Sequence, residues 1–218
     1  MALDTKVVQA LERALTRWAD QEAKGPRLID DARRLWGRTL HLLTLGLIST
    51  EIDALATELA CYALQLPLIQ PVKPTGGKAP RTTLRDRCER AAEFSVALLD
   101  KLVPTPTLER ISQILLEIPQ RAPDLDEARV LADAVNLEDF GVSGLLVQAI
   151  VLSRQGNGLL QVAEGCQKRD LYGYWEARLK DSFHFEPVRQ IAAARVESAR
   201  KIAAMLQAEL DEDLPPGE

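Results

Sequence analysis

The stretch Glu127-Ala-Arg-Val-Leu-Ala-Asp133-Ala-Val135-Asn-Leu137-Glu-Asp-Phe-Gly141-Val-Ser-Gly144 decides the fold. Its first part, residues 126–135, has the apolar spacing of a short helix. Gly141 and Gly144 then punctuate the chain before the apolar run from Leu145 to Leu152.

The same helical period extends outward in both directions. Val8, Leu11, Leu15 and Trp18 make one stripe, ending near Gly25-Pro26. A second helix is expected from Asp30 to about Leu47, followed by a capping-box-like start at Thr50 and Asp53 and a stripe of Ile52, Leu55, Ala56 and Leu59. Residues 70–81 hold Pro71, Pro74, Gly76, Gly77 and Pro80, the composition of a flexible loop. Its Gly-Gly-Lys triplet, ending at Lys78, lacks the spacing of a phosphate-binding loop: Val72 stands where a further Gly is needed, and Ala79 follows the lysine. Thr83 and Asp86 start the next helix. Thr105 is the expected cap of another, with Pro106 at its first position and Leu108, Ile111 and Leu115 on one face. Beyond the quoted stretch, a polar segment bearing Tyr172, Tyr174 and Trp175 precedes a last helix from Pro187 to about Leu210.

No segment alternates as a strand does, and no repeat is visible. The 218 residues are 46% hydrophobic and rich in Leu and Ala, enough for a sizeable core and biased toward helix. The fold expected is all-α, a single helical bundle domain over residues 25–210. A helix in residues 1–24 precedes it and a disordered acidic tail at 211–218 follows. The net charge of −5, with both signs interspersed, lacks the basic footprint of a nucleic-acid binder. The longest apolar run, Leu42 to Ile48, is too short for a membrane span, so no membrane partner is expected. Three scattered cysteines (Cys61, Cys88, Cys166) and the absence of a signal-like segment at Met1 to Lys6 give the expectation of reduced thiols in a cytoplasmic protein.

A metal centre needs several converging His, Cys or carboxylate ligands, and the chain has two histidines. His41, among leucines, reads as a core or boundary residue. His184, between Phe183 and Phe185, suits packing or binding. None of the cysteines has a nucleophile motif, and Cys61 and Cys88 fit buried helix faces. The segment Gly141-Val-Ser-Gly144 is not a nucleophile elbow, which needs Gly two residues either side of the Ser.

The opening stretch resembles the HD-domain phosphohydrolase superfamily, in which a Glu-led helix reaches Asp-Ala-Asp, then Leu, then two Gly. Asp133 falls on the first Asp, a metal ligand in the family, and Val135 replaces the second. Arg34-Leu35 matches an Arg-Val pair, which places Asp31 on the family's first His. Leu55-Ala56 matches the pair before the His-Asp doublet, which places Ala60 and Cys61 on that doublet. Arg87 stands roughly where a further His is found, and Glu117 replaces the His of an Ile-x-x-His. Arg178-Leu179 and Arg189-x-x-Ala192-x-x-Arg195 resemble the end of one bacterial subgroup. The resemblance covers about residues 28–210.

It implies a degenerate site. In the family two His and two Asp hold a divalent metal that activates water against a phosphate ester. Here the matched positions read Asp31, Ala60, Cys61 and Asp133; alanine has no donor atom, and a thiol is a soft ligand in place of a hard carboxylate. The expectation is a catalytically silent HD-domain-like protein, a binding or regulatory module with no catalytic residues, metal or cofactor. Its former pocket is lined by Arg34, Arg87, Glu117 and His184, with Lys78 nearby. The ligand is a small phosphorylated molecule or a protein partner. The alternatives are a metal-dependent phosphohydrolase rebuilt on Asp31, Asp133, Glu117 and His184, and a helical scaffold.

Overall fold

The apolar stripes become helices in the computed structural model, which describes residues 5–19, 25–68 and 83–213. Those residues form ten α-helices and two short 3-10 turns, with no strand among them. The expected loop at 70–81, with Lys78, lies outside the described residues, as does 214–218 of the expected tail. Contacts group the chain into two compact units, Met1–Ala134 and Val135–Glu218, a division not announced by the sequence when read as one domain over 25–210.

In the first unit, α1 (Thr5–Ala19) packs on α2 (Gly25–Leu43) and on α3 (Ala54–Ala63). Helix α2 starts at Gly25 rather than Asp30, since a proline in the first turn, here Pro26, lacks only an N–H that would have no partner there. It ends at Leu43 rather than near Leu47, where Gly46 takes a left-handed φ of 65°. The central element is α3, whose residues Ala56, Thr57, Glu58, Leu59, Ala60, Cys61, Tyr62 and Ala63 are all buried. A helix that is apolar on every side belongs inside a core. It packs against α5 (Thr105–Glu117), which also holds α4 (Leu84–Leu99). The start of α3 differs from expectation: Asp53 is the cap, its Oδ1 accepting from Ala56 N at 2.9 Å. The Thr50 hydroxyl instead donates to Asp126 Oδ2 at 2.6 Å, on α6 (Asp126–Asn136). Helix α4 starts at Thr83 and Asp86 as expected, and the two form a capping box. Thr105 is not a cap. Pro104 holds that position with no side-chain bond, and Thr105 opens the helix.

In the second unit, α7 (Gly141–Arg154) packs on α10 (Glu186–Asp213), and α8 (Leu159–Leu171) packs on both. A turn at Tyr172 and Gly173 leads into α9 (Tyr174–Asp181). Helix α10 continues to Asp213, so residues 211–213 of the expected tail are helical. Phe140 has no exposed surface and anchors an aromatic cluster, with ring centroids 5.3 Å from Trp175 and 5.2 Å from Phe183. Both glycines of the opening stretch are required where they stand. Gly141 has φ 82°, and a Cβ on Gly144 would lie 2.2 Å from the carbonyl oxygen of Asp139.

Candidate functional site

The four matched positions fall on three helices of the first unit: Asp31 on α2, Ala60 and Cys61 on α3, and Asp133 on α6. Two adjacent residues of α2 reach toward α6 and α3. Arg38 donates from NH1 to the carbonyl of Ala134, the residue after Asp133, at 2.8 Å. The Thr39 hydroxyl donates to Leu35 O at 2.9 Å and lies 4.0 Å from the Cys61 sulfur. Asp31 is two helical turns from Arg38, roughly 10 Å along the axis and on the same face.

This region is filled by side chains. Ala60, Cys61, Thr39 and Asp133 each have 0% exposed surface. Asp133 is engaged inside the protein. Asp31 accepts from Arg34 NH2 at 2.8 Å, an i,i+3 pair with Arg34 half-exposed. Among the described residues, no three His, Cys, Asp or Glu side chains converge as a metal site requires.

The expected pocket residues have other partners. Arg87 donates from Nε to Leu64 O at 2.8 Å and from NH2 to Gln65 Oε1 at 3.2 Å, so it satisfies a carbonyl at the end of α3. Glu117, buried, accepts from Leu125 N at 2.8 Å and from Gln113 Nε2 at 3.3 Å, which fixes the connection from α5 to α6. His184 belongs to the second unit and is half-buried beside Phe183. His41, read as a core or boundary residue, is exposed in the last turn of α2, where a histidine interacts favourably with the helix dipole. Cys61 and Cys88 are buried as expected, and burial pushes the Cys88 thiol up to about 12.

Two polar clusters lie outside these positions. Glu127, the first residue of the opening stretch, is 2% exposed. It takes Arg110 NH2 on both carboxylate oxygens, at 2.8 and 2.9 Å, and accepts from the backbone N of Asp53 at 3.0 Å. The pair faces an open cleft of about 480 Å³. The second cluster joins α1, α2 and α3. Glu12 Oε1 accepts from Arg33 Nε at 3.0 Å, from Arg33 NH2 at 2.8 Å and from the Tyr62 hydroxyl at 3.2 Å. Glu58, 6% exposed, faces Glu12 with a buried Oε2 that has no hydrogen-bond partner. Burial, and then the charge on Glu12, hold the Glu58 carboxyl above its ordinary range. The same two causes, in the same order, push Tyr62 up to about 12. This cluster is not among the site residues expected from the sequence. The available signal is a lone charged residue in the largely apolar stretch from Ala54 to Ala63.

No known protein family and no curated protein matches the chain by sequence. A solved structure it is similar to is the crystal structure of Bacillus subtilis YpgQ in complex with ADP, at 16% identity and a TM-score of 0.60, over 97% of both chains. At that identity the likeness is one of fold: an all-α, HD-domain-like fold. Among the described residues, no single helix is long and apolar enough to cross a membrane.

Proposed function

We propose that this chain is an HD-domain-like module without metal-dependent phosphohydrolase activity, and that it acts by binding, as a regulatory or adaptor domain. One observation carries the reading. Ala60 and Cys61, which the sequence resemblance matches to the superfamily's metal-binding His-Asp doublet, have no exposed surface, and the Cys61 sulfur packs on the Thr39 hydroxyl. The pairing of Asp31 with Arg34 supports it, because a carboxylate in an ion pair is a poorer starting point for a hard cation. The ligand class proposed is a small phosphorylated molecule, met at the surface beside Arg34 rather than among the buried positions. A nucleoside diphosphate is the first probe, since YpgQ was crystallised with ADP. Arg34, half-exposed, is the cation placed to meet its phosphates.

The test is a substrate screen with the full chain in Mn²⁺ and in Mg²⁺, over nucleoside mono-, di- and triphosphates, with calorimetric titration of ADP alongside. The expected result is no turnover, with saturable ADP binding weakened in Arg34→Ala. Hydrolysis abolished by Asp133→Ala would establish a rebuilt enzyme instead. Neither turnover nor ADP binding leaves the scaffold reading.

A further inference from the structure

We propose that the outward face of α7 forms a two-fold symmetric interface between two copies of this chain. From Gly141 to Ser153 the sequence has no charged residue. Its inner side, with Gly141, Gly144 and Leu145, is buried within the second unit. The opposite side is apolar as well: Val142, Leu146, Val147, Ile150 and Val151 are 37%, 55%, 45%, 49% and 47% exposed. Their spacing puts all five on one stripe. A helix that is apolar on both sides has a second surface to cover.

The stripe amounts to roughly 400 Å² of apolar surface, the size of the largest patch on a typical monomer, which is often functional. It is extended where the chain turns into α8. Asn157 N donates to Leu152 O at 3.1 Å, and Leu159 and Leu160 follow at once, 62% and 39% exposed. Together these surfaces come to roughly three-quarters of the ~800 Å² that each partner contributes to a standard interface.

The lack of charge selects the occupant. A two-fold axis sets one surface against itself, so any charge on it meets a like charge unless it lies off the axis. Between Val142 and Val151 the α7 face meets its own copy with no such repulsion. A strongly charged partner finds no complement on it. An anionic membrane surface attracts basic residues, and this stretch has none, in a chain of net charge −5.

The experiment is sedimentation velocity on the full chain across the micromolar range. It compares the natural protein with Leu146→Glu/Ile150→Glu and with Val96→Glu, an exposed apolar position on α4. The natural chain and Val96→Glu are expected to be dimers. The α7 variant is expected to dissociate at least roughly thirtyfold more readily. Its helical circular dichroism and unfolding midpoint as a monomer should match those of the diluted natural chain. A natural chain that stays monomeric at every concentration overturns the proposal, whether or not it binds phosphatidylcholine vesicles or another protein. So does a dimer that the α7 variant leaves intact, equal dissociation by both variants, or an α7 variant that loses stability without changing its association state.

Discussion

Replacing Glu58 by Gln should stabilise the protein, and the gain should depend on pH. The side chain is 6% exposed, its Oε2 has no partner, and the Glu12 carboxylate faces it. Arg33 and Tyr62 both donate to Glu12, so the neighbouring cation is directed at the other carboxylate. Burial and the Glu12 charge hold the folded-state pKa of Glu58 above the ordinary carboxylate value. The folded state therefore binds this proton more tightly than the unfolded state does. The associated stability is fully present below the ordinary value and is lost as pH rises through the raised one. Above that window the folded protein holds a desolvated carboxylate. Leaving a buried polar group unsatisfied costs about 1–3 kcal/mol, and more when it is charged. Gln keeps the shape, removes the charge and adds a donor for Glu12. The expected gain is about 1–2 kcal/mol at neutral and alkaline pH, shrinking toward zero below the ordinary Glu range. Urea unfolding of both proteins across a pH series measures it. A variant less stable than the natural protein at alkaline pH, or a difference that is the same at every pH, would refute the reasoning.

Three further outcomes follow from the geometry. Glu127→Ala leaves Arg110 and the Asp53 N–H without their acceptor and should cost about 3 kcal/mol in urea unfolding, with Arg110→Ala costing less because its side chain is 33% exposed. Gly144→Ala drives a Cβ into the Asp139 carbonyl and should destabilise by at least about 2 kcal/mol, detected as a lowered unfolding midpoint and a weaker near-ultraviolet signal from the Phe140 cluster. A thiol reagent added to the folded protein at mildly alkaline pH should modify Cys166 first; Cys88, buried and pushed up to about 12, should react only at the rate of unfolding, and prompt labelling of Cys88 would contradict its burial.

The features legible in the sequence are those whose partners lie within one helical turn. The Thr83–Asp86 start of α4 spans three residues. Thr50 was misread as a cap because its partner, Asp126, lies 76 residues away. Glu58 stands out in its apolar stretch, but only the packing of α1 on α3 makes Glu12 its neighbour. The register that placed Asp31, Ala60, Cys61 and Asp133 together came from a family resemblance. In the structure, adjacent residues Arg38 and Thr39 reach Ala134 and Cys61. The resemblance places Glu117 and Arg87 in a pocket, yet each holds a backbone group of its own unit, a partner that the resemblance does not reveal. The apolar run from Leu145 to Leu152 has no polar phase, so its sequence does not tell an inner face from an outer one.

Metal stoichiometry tests most directly the proposal that this chain holds no metal centre. Elemental analysis of the purified chain, after dialysis against Mn²⁺ and then metal-free buffer, should find well below one equivalent of Mn, Fe or Mg. That value should be unchanged in Asp133→Asn. One retained equivalent per chain, lost in Asp133→Asn, would contradict the account.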